Sequence, residues 1–289
     1  MKKNILLVAN PVSGAVDKSV FIDAVATYAT KENLNIILYK TTGQDDVSKI
    51  RALYKINKPK RIIIIGGDGT IKMVADATED KDVILGILPA GSSNGLAVNL
   101  DLMRTLEDNL DIAFHNRYIE MDTIVINGEK CFHLSDLGLN AELVKNYEKS
   151  KIHGKWGYFL QSINTLLDIE VPFKVTIIAN NQIIESEARM VVVANSKKYG
   201  TGIVINPGGI MNDGMFELVI LKNLDLYIFG EFIMGNTPLN PDDFEIISTD
   251  EAIIKTNFPV NFQMDGEYCG FESVLKISIS PNKIKVAIP

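Results

Sequence analysis

Four short uninterrupted apolar runs, "NILLVAN" (4–10), "NIILYK" (35–40), "RIIIIGG" (61–67) and "VILGILPA" (83–90), restrict the fold of this chain more than any other feature. Continuous Ile, Leu and Val, rather than strict alternation, mark strands covered on both faces, as in a parallel sheet with helices on either side. Residues 18–31, 45–56 and 70–78 between them carry helix-compatible spacing. Residues 1–117 are therefore expected to form an α/β layered domain with a parallel sheet.

From residue 118 the texture changes to closely spaced β runs, among them "YIEMDTIVIN", "FKVTIIAN", "MFELVIL", "PVNFQMD" and "KIKVAIP". Turn pairs "NG" (127–128), "NN" (180–181) and "DG" (213–214 and 265–266) punctuate them, which predicts an antiparallel β-sandwich over 118–289, with the last few residues free to return to the first domain. Residues 141–168 depart from this with two helical patterns. The second sets Trp156, Phe159, Leu160, Ile163, Leu166 and Leu167 on one face behind Lys151 and Lys155, which reads as a core face or as a membrane-touching one.

At 289 residues, nearly half of them apolar, the chain can bury two cores. A formal charge of -7 with no basic stripe argues against a general nucleic-acid binder. No stretch approaches the roughly 18 apolar residues of a membrane span, so no transmembrane segment is expected. Cys131 and Cys269 lack metal spacing and read as reduced core thiols of a cytoplasmic protein.

The chemistry concentrates in "GGDGT" (66–70) after the third run. Gly66, Gly67 and Gly69 lack Cβ, so the backbone can take positive φ, approach a ligand and turn N–H groups toward phosphate oxygens. Thr70 can cap the helix that follows, whose N-terminus favours an anion. Asp68 is the odd member. A carboxylate beside phosphate is repulsive unless a cation lies between them, and magnesium, which takes one or two carboxylates and keeps its waters, fits. The alternative is a tight turn in which Asp68 only caps.

"GGDGT" resembles the phosphate loop shared by diacylglycerol-type lipid kinases, sphingosine kinases and NAD kinases. "NPVSG" (10–14), "GILPAGSSNGLA" (86–97), "YGTGIVINPGGIMNDG" (199–214) and "MDGE" (264–267) are similar, in order, to the remaining motifs of the lipid branch. The resemblance implies an N-terminal nucleotide-binding kinase domain, a C-terminal β-sandwich lipid-substrate domain, and transfer of the ATP γ-phosphate, with Mg2+, to a lipid hydroxyl in the cleft between them. The substrate, a diacylglycerol or a sphingoid base, would be met at the membrane surface by peripheral association, and a homodimer is left open.

Carried over residue by residue, the resemblance makes Asn10, Ser13, Gly14, Gly66, Gly67, Gly69, Thr70, Gly91, Ser92 and Asn94 nucleotide-binding, with Ser92 and Asn94 bonding phosphate or substrate. It makes Asp68 and Asp122 magnesium-positioning, Asp213 a second, structural metal ligand, Glu267 the general base and Asp265 its supporting neighbour. Each has a plainer reading: a turn at Pro11, a helix cap at 92–94, an exposed strand Asp at 122, and ordinary hairpin turns at 213 and 265–267. Many bacterial relatives carry Thr at the position of Ser92 and Asp at that of Gly95; "LPAGSSNGLA" is closer to the sphingosine and ceramide kinase version, with Ser93 for its usual glycine.

Three alternatives compete. "GSSNG" (91–95) also satisfies the G-x-S-x-G elbow of serine hydrolases with Ser93 as nucleophile, but the last histidine is His153, too early for a triad. His115, His133 and His153 also lack metal spacing. An NAD kinase would carry Asn-Glu where this chain has Asn94 and Gly95. A non-catalytic lipid or nucleotide sensor would not call for a proton acceptor such as Glu267.

Overall fold

A computed structural model describes residues 3–92, 94–115, 117–138, 172–199, 203–222 and 243–289. Ser93, the 141–168 helical patterns and His153 lie outside the described residues. The chain divides into two compact units, Met1–Met121 with Asn282–Pro289, and Asp122–Pro281.

The first unit opens as its sequence predicts: β1 (Asn4–Ala9), α1 (Lys18–Lys31), β2 (Asn35–Lys40), α2 (Asp46–Asn57), β3 (Arg61–Gly66), α3 (Asp68–Ala77) and β4 (Ile84–Pro89). A short α4 (Gly95–Asn99), α5 (Leu106–Phe114) and β5 (Tyr118–Met121) follow. β1 pairs in parallel with both β2 and β3, and β3 with β4. Ile62, Ile63, Ile64 and Ile65 are all fully buried, as expected of a strand covered on both faces. One layer of the core joins Ile5, Leu7, Ile63, Ile65 and Leu88 to Val25 of α1 and to Leu110 and Ala113 of α5.

The second unit is antiparallel: β6 (Ile124–Ile126), β7 (Glu129–Cys131), β8 (Leu134–Gly138), β9 (Phe173–Ala179), β10 (Gln182–Ala188), β11 (Met190–Ala194), the short pair β12 (Lys198–Tyr199) and β13 (Ile203–Val204), β14 (Phe216–Leu221), β15 (Phe244–Thr249), β16 (Glu251–Met264) and β17 (Glu267–Ile279). The path runs β15-β14-β11-β8-β16-β17-β6-β7, with β9 and β10 branching from β16. β16 lends Ala252–Thr256 to β9 and Phe262–Met264 to β8, with a register shift between Lys255 and Val260 where the strand changes partners. Such a corner folds one strand set over itself and encloses a sandwich core. Leu137, Val191, Phe216, Phe262, Leu275 and Ile277 belong to that core. Three of the turn pairs sit at φ values near +50° to +92°, as two-residue hairpins require: Asn127–Gly128, Asn180–Asn181 and Asp265–Gly266.

The last strand, β18 (Ile284–Ala287), leaves the sandwich and inserts between β4, to which it is parallel, and β5, to which it is antiparallel. The first sheet is thus β2-β1-β3-β4-β18-β5. Tyr118–Met121, the head of the run expected to open the second domain, hydrogen-bonds into this sheet instead, because β18 offers it a partner. Both cysteines are free thiols, but only Cys131 is buried; the expectation of a core thiol at 269 is corrected. β17 carries one extra residue there, since Phe262 faces Gly270 while Gln263 faces Tyr268, and the bulge turns Cys269 outward.

Candidate active site

In the first sheet β1 connects to β2 on one side while β3 lies on its other side, so the connections leaving β1 and β3 diverge, and their carboxyl ends open a crevice. Three loops meet at that end: 10–17 after β1, 67 after β3, and 90–94 after β4. Asn10 Nδ2 donates to Thr70 Oγ1 at 3.2 Å, and Ser13 Oγ donates to the Ala90 carbonyl at 3.2 Å. Backbone packing is closest between Gly67 and Gly91: a Cβ on Gly91 would fall 2.4 Å from the Gly67 Cα. Gly14, at φ +59°, sits against the same loop, where a Cβ would fall 2.9 Å from the Ala90 carbonyl oxygen. Gly66, Gly67 and Gly69 do not adopt positive φ, which corrects half of the sequence argument; Gly66 and Gly67 serve close approach, to Thr70 and Gly91, rather than backbone reversal.

α3 begins at Asp68 with Gly67 as its N-cap. Thr70 therefore lies inside the first turn and does not cap the helix; its buried hydroxyl receives the Asn10 amide. The Gly67 carbonyl accepts from Thr70 N and Ile71 N, while the N–H groups of Asp68 and Gly69 find no acceptor among the described residues. Two bare amides at the positive end of a ten-residue helix, with Gly69 exposed, make an anion-accepting surface.

The Asp68 side chain turns toward α4. One carboxylate oxygen accepts from Gly95 N at 2.7 Å and the other from Leu96 N at 3.0 Å. It supplies the cap that Asn94, the residue in N-cap position, does not. Asn94 is buried and stands at φ +53°, with its amide turned back on its own loop: Oδ1 accepts from Gly91 N at 2.8 Å and Nδ2 donates to the Gly91 carbonyl at 3.0 Å. This staple takes one of the two Nδ2 protons and leaves the other for the expected bond to phosphate or substrate. Ser92 beside it is exposed.

Lys18 was not evident from the sequence, because a lysine opening a helix reads as surface. Here it is buried, and its ammonium donates to the carbonyls of Ser13 at 2.5 Å and Val16 at 2.7 Å, holding the loop after β1 in shape. Burial lowers its pKa, against the opposing pull of Asp17.

The remaining candidates belong to the second unit. Asp122 is fully buried rather than exposed on a strand; its Oδ2 accepts from Gly214 N at 2.7 Å, and its own N–H donates to the Met211 carbonyl at 2.7 Å. It thereby fastens the 211–215 turn. Asp213, in that turn, is exposed and accepts from Met215 N at 3.0 Å. Asp265 is also committed to backbone: Oδ2 accepts from Phe132 N at 3.0 Å and Oδ1 from His133 N at 2.9 Å. Glu267, one residue past the turn, is exposed, and among the described residues no hydrogen bond or ion pair engages its carboxylate.

No three His, Cys, Asp or Glu side chains converge on a metal-sized site among the described residues. That excludes a protein-built cage there but suits magnesium delivered with a nucleotide, which needs only a carboxylate or two beside phosphates and water. Asp68 fits: it is half-buried, and two of its roughly four acceptor positions remain after the α4 amides are served.

Comparison with known proteins agrees with this layout. Residues 4–126 match the model of the diacylglycerol kinase catalytic domain, and residues 136–288, more than half of the chain, match the YegS C-terminal NAD kinase beta sandwich-like domain. The chain is 27% identical over 282 residues to a diacylglycerol kinase of Bacillus subtilis (strain 168), covering 93% of this chain and 91% of that one. It is 25% identical over 234 residues to a protein of Enterobacter sp. (strain 638) named "Probable lipid kinase YegS-like", covering 79% and 78%. A crystal structure of a diacylglycerol kinase from Bacillus anthracis str. Sterne superposes with a TM-score of 0.79 at 18% identity, over 99% of this chain and 97% of that one.

Proposed function

The chain belongs to the diacylglycerol kinase and YegS family of lipid kinases, and from that premise we propose that it transfers the γ-phosphoryl group of ATP to a hydroxyl of a lipid met at a membrane surface. The observation that carries the nucleotide half of this reading is the pair of bare amides opening α3, against the Gly67–Gly91 contact. These N–H groups would receive phosphate oxygens, while Asn10, Ser13 and Lys18 keep the loop after β1 in the shape that borders them. Asp68 and the exposed Ser92 hydroxyl complete the polar rim. Magnesium, when bound, would lie against the remaining Asp68 acceptor positions and neutralise charge shared by the phosphates.

Glu267 is the proposed proton acceptor. The lipid oxygen bonds to the γ-phosphorus as the bond from that phosphorus to the ADP oxygen breaks, and the hydroxyl proton passes to the Glu267 carboxylate. An exposed carboxylate without a competing partner is suited to that task. Asp265, engaged with the 132–133 amides, holds the turn. Asp122 and Asp213 shape the 211–215 turn.

The test is to incubate the protein with γ-labelled ATP, magnesium and vesicles of a total lipid extract, with NAD supplied in parallel. Label should enter the organic phase, and Glu267→Gln should lower turnover about 10²–10⁴-fold with the KM for ATP unchanged. Label in a dinucleotide and none in lipid would overturn the acceptor class.

A further inference from the structure

In the second unit, three consecutive residues of β8 each take hold of the hairpin end that carries Glu267. The Leu134 carbonyl accepts from Asp265 N at 2.8 Å, Ser135 Oγ donates to the Gln263 carbonyl at 2.7 Å, and the Asp136 carboxylate accepts from Gln263 Nε2. Gln263 and Asp136 stand directly opposite in the β16/β8 register, the geometry in which cross-strand side chains meet. The other end of the Gln263 side chain, Oε1, accepts from Gly266 N at 2.8 Å. A backbone N–H can only donate, so Oε1 must face Gly266 and Nε2 must face Asp136; each contact fixes the orientation of the other. A continuous path of hydrogen bonds therefore runs from the middle of β8 to the residue before Glu267.

Stability alone does not account for this pair. Asp136 is fully buried and Gln263 is 1% exposed, and a buried polar pair is commonly no more stable than apolar residues of the same volume. What the pair adds is location. The Asp265–Gly266 turn has both residues at positive φ (51° and 85°); the 132–133 amides hold its Asp265 side, and the Gly266 bond adds to the Met264/Glu267 ladder pairing on the side next to Glu267. We propose that Asp136 and Gln263 are positioning residues of the phosphoryl transfer, acting through Gly266 to set where Glu267 presents its carboxylate. This rests on Glu267 being the proton acceptor.

The experiment replaces the pair together, Asp136→Leu with Gln263→Met, in the wild-type protein and in Glu267→Gln, and reads kcat, KM for ATP and the thermal midpoint. The expected result is an unchanged or raised midpoint, an unchanged KM, and a kcat lowered roughly ten- to a hundredfold in the wild-type background only, because a misplaced base and an absent one lose the same step. An unaltered kcat, or an equal fall in both backgrounds, would overturn the inference and leave the role of Glu267 standing. A negligible effect of Glu267→Gln by itself would instead remove the reading on which the inference rests. If the paired variant does not fold, Asp136→Asn, which keeps an acceptor for Nε2, is compared with Asp136→Val, which does not; turnover retained by the first and lost by the second is expected, and equal turnover in the two would sink the proposal.

Discussion

The Asp68 carboxylate accepts from two amides of α4, so on the proposed function its role is split between holding the fourth strand's loop to the third and facing a ligand. Replacing it by Ala should therefore be felt twice: as a loss of about 1–2 kcal/mol in stability, since a capping acceptor disappears, and as the collapse of phosphoryl transfer. Asp68→Asn separates the two, because its single carbonyl oxygen still accepts one α4 N–H while the charge is gone. Denaturant midpoints and turnover measured for both variants should show Asn closer to wild type in stability and as inactive as Ala. Wild-type turnover in either variant would dismiss the metal-facing role. The sequence shows Asp68 to be unusual, since an acid among glycines after a buried run has few explanations. Nothing in it distinguishes a carboxylate aimed at a ligand from one aimed at α4. Asn94 illustrates the same limit: nothing in the sequence of a small-residue loop tells that its Asn staples its own backbone through Gly91.

At the scale of elements, loops after parallel strands are held together here by contacts between backbones, and Gly91 against Gly67 is the tightest. A methyl group at residue 91 would lie 2.4 Å from the Gly67 Cα, far inside the 3.5–4.0 Å of ordinary carbon contact. Gly91→Ala should force the two loops apart at a cost of roughly 1–3 kcal/mol, raising the KM for ATP and lowering the thermal midpoint. An unchanged KM would mean that nucleotide does not rest on this contact. The elements themselves were legible because their signals are local: β1 to β4, the three long helices and the Asn-Gly, Asn-Asn and Asp-Gly hairpins follow from periodicity and turn chemistry. Less legible were the features that depend on a distant partner. Thr70 was misjudged as a cap because the cap falls three residues sooner, on Gly67. Cys269 was misjudged as core because a bulge has no sequence period. Lys18, Asp136 and Gln263 gave no signal, since each is defined by a carbonyl, an amide or a carboxyl on another strand or loop.

On the scale of the whole molecule, β18 is the one element among the described residues that leaves the sequence order of the units, passing from the sandwich to the first sheet. It is an interior strand, paired on both sides, so its removal strips hydrogen bonds from β4 and leaves β5 without a partner. Deleting residues 282–289 should abolish the stabilisation that MgATP gives to the first unit, read as the loss of the ligand-induced rise in thermal midpoint. A preserved rise would show that β1 to β4 suffice to hold nucleotide.

The same strand has a bearing on how the protein comes into being. A ribosome delivers β1 to β5 long before Ile284–Ala287 has emerged, so the nascent first sheet must wait, with the flank of β4 uncovered, while the sandwich strands are translated. Nucleotide binding would then switch on last, and a prematurely terminated polypeptide would be an inert by-product rather than a loose ATP sink.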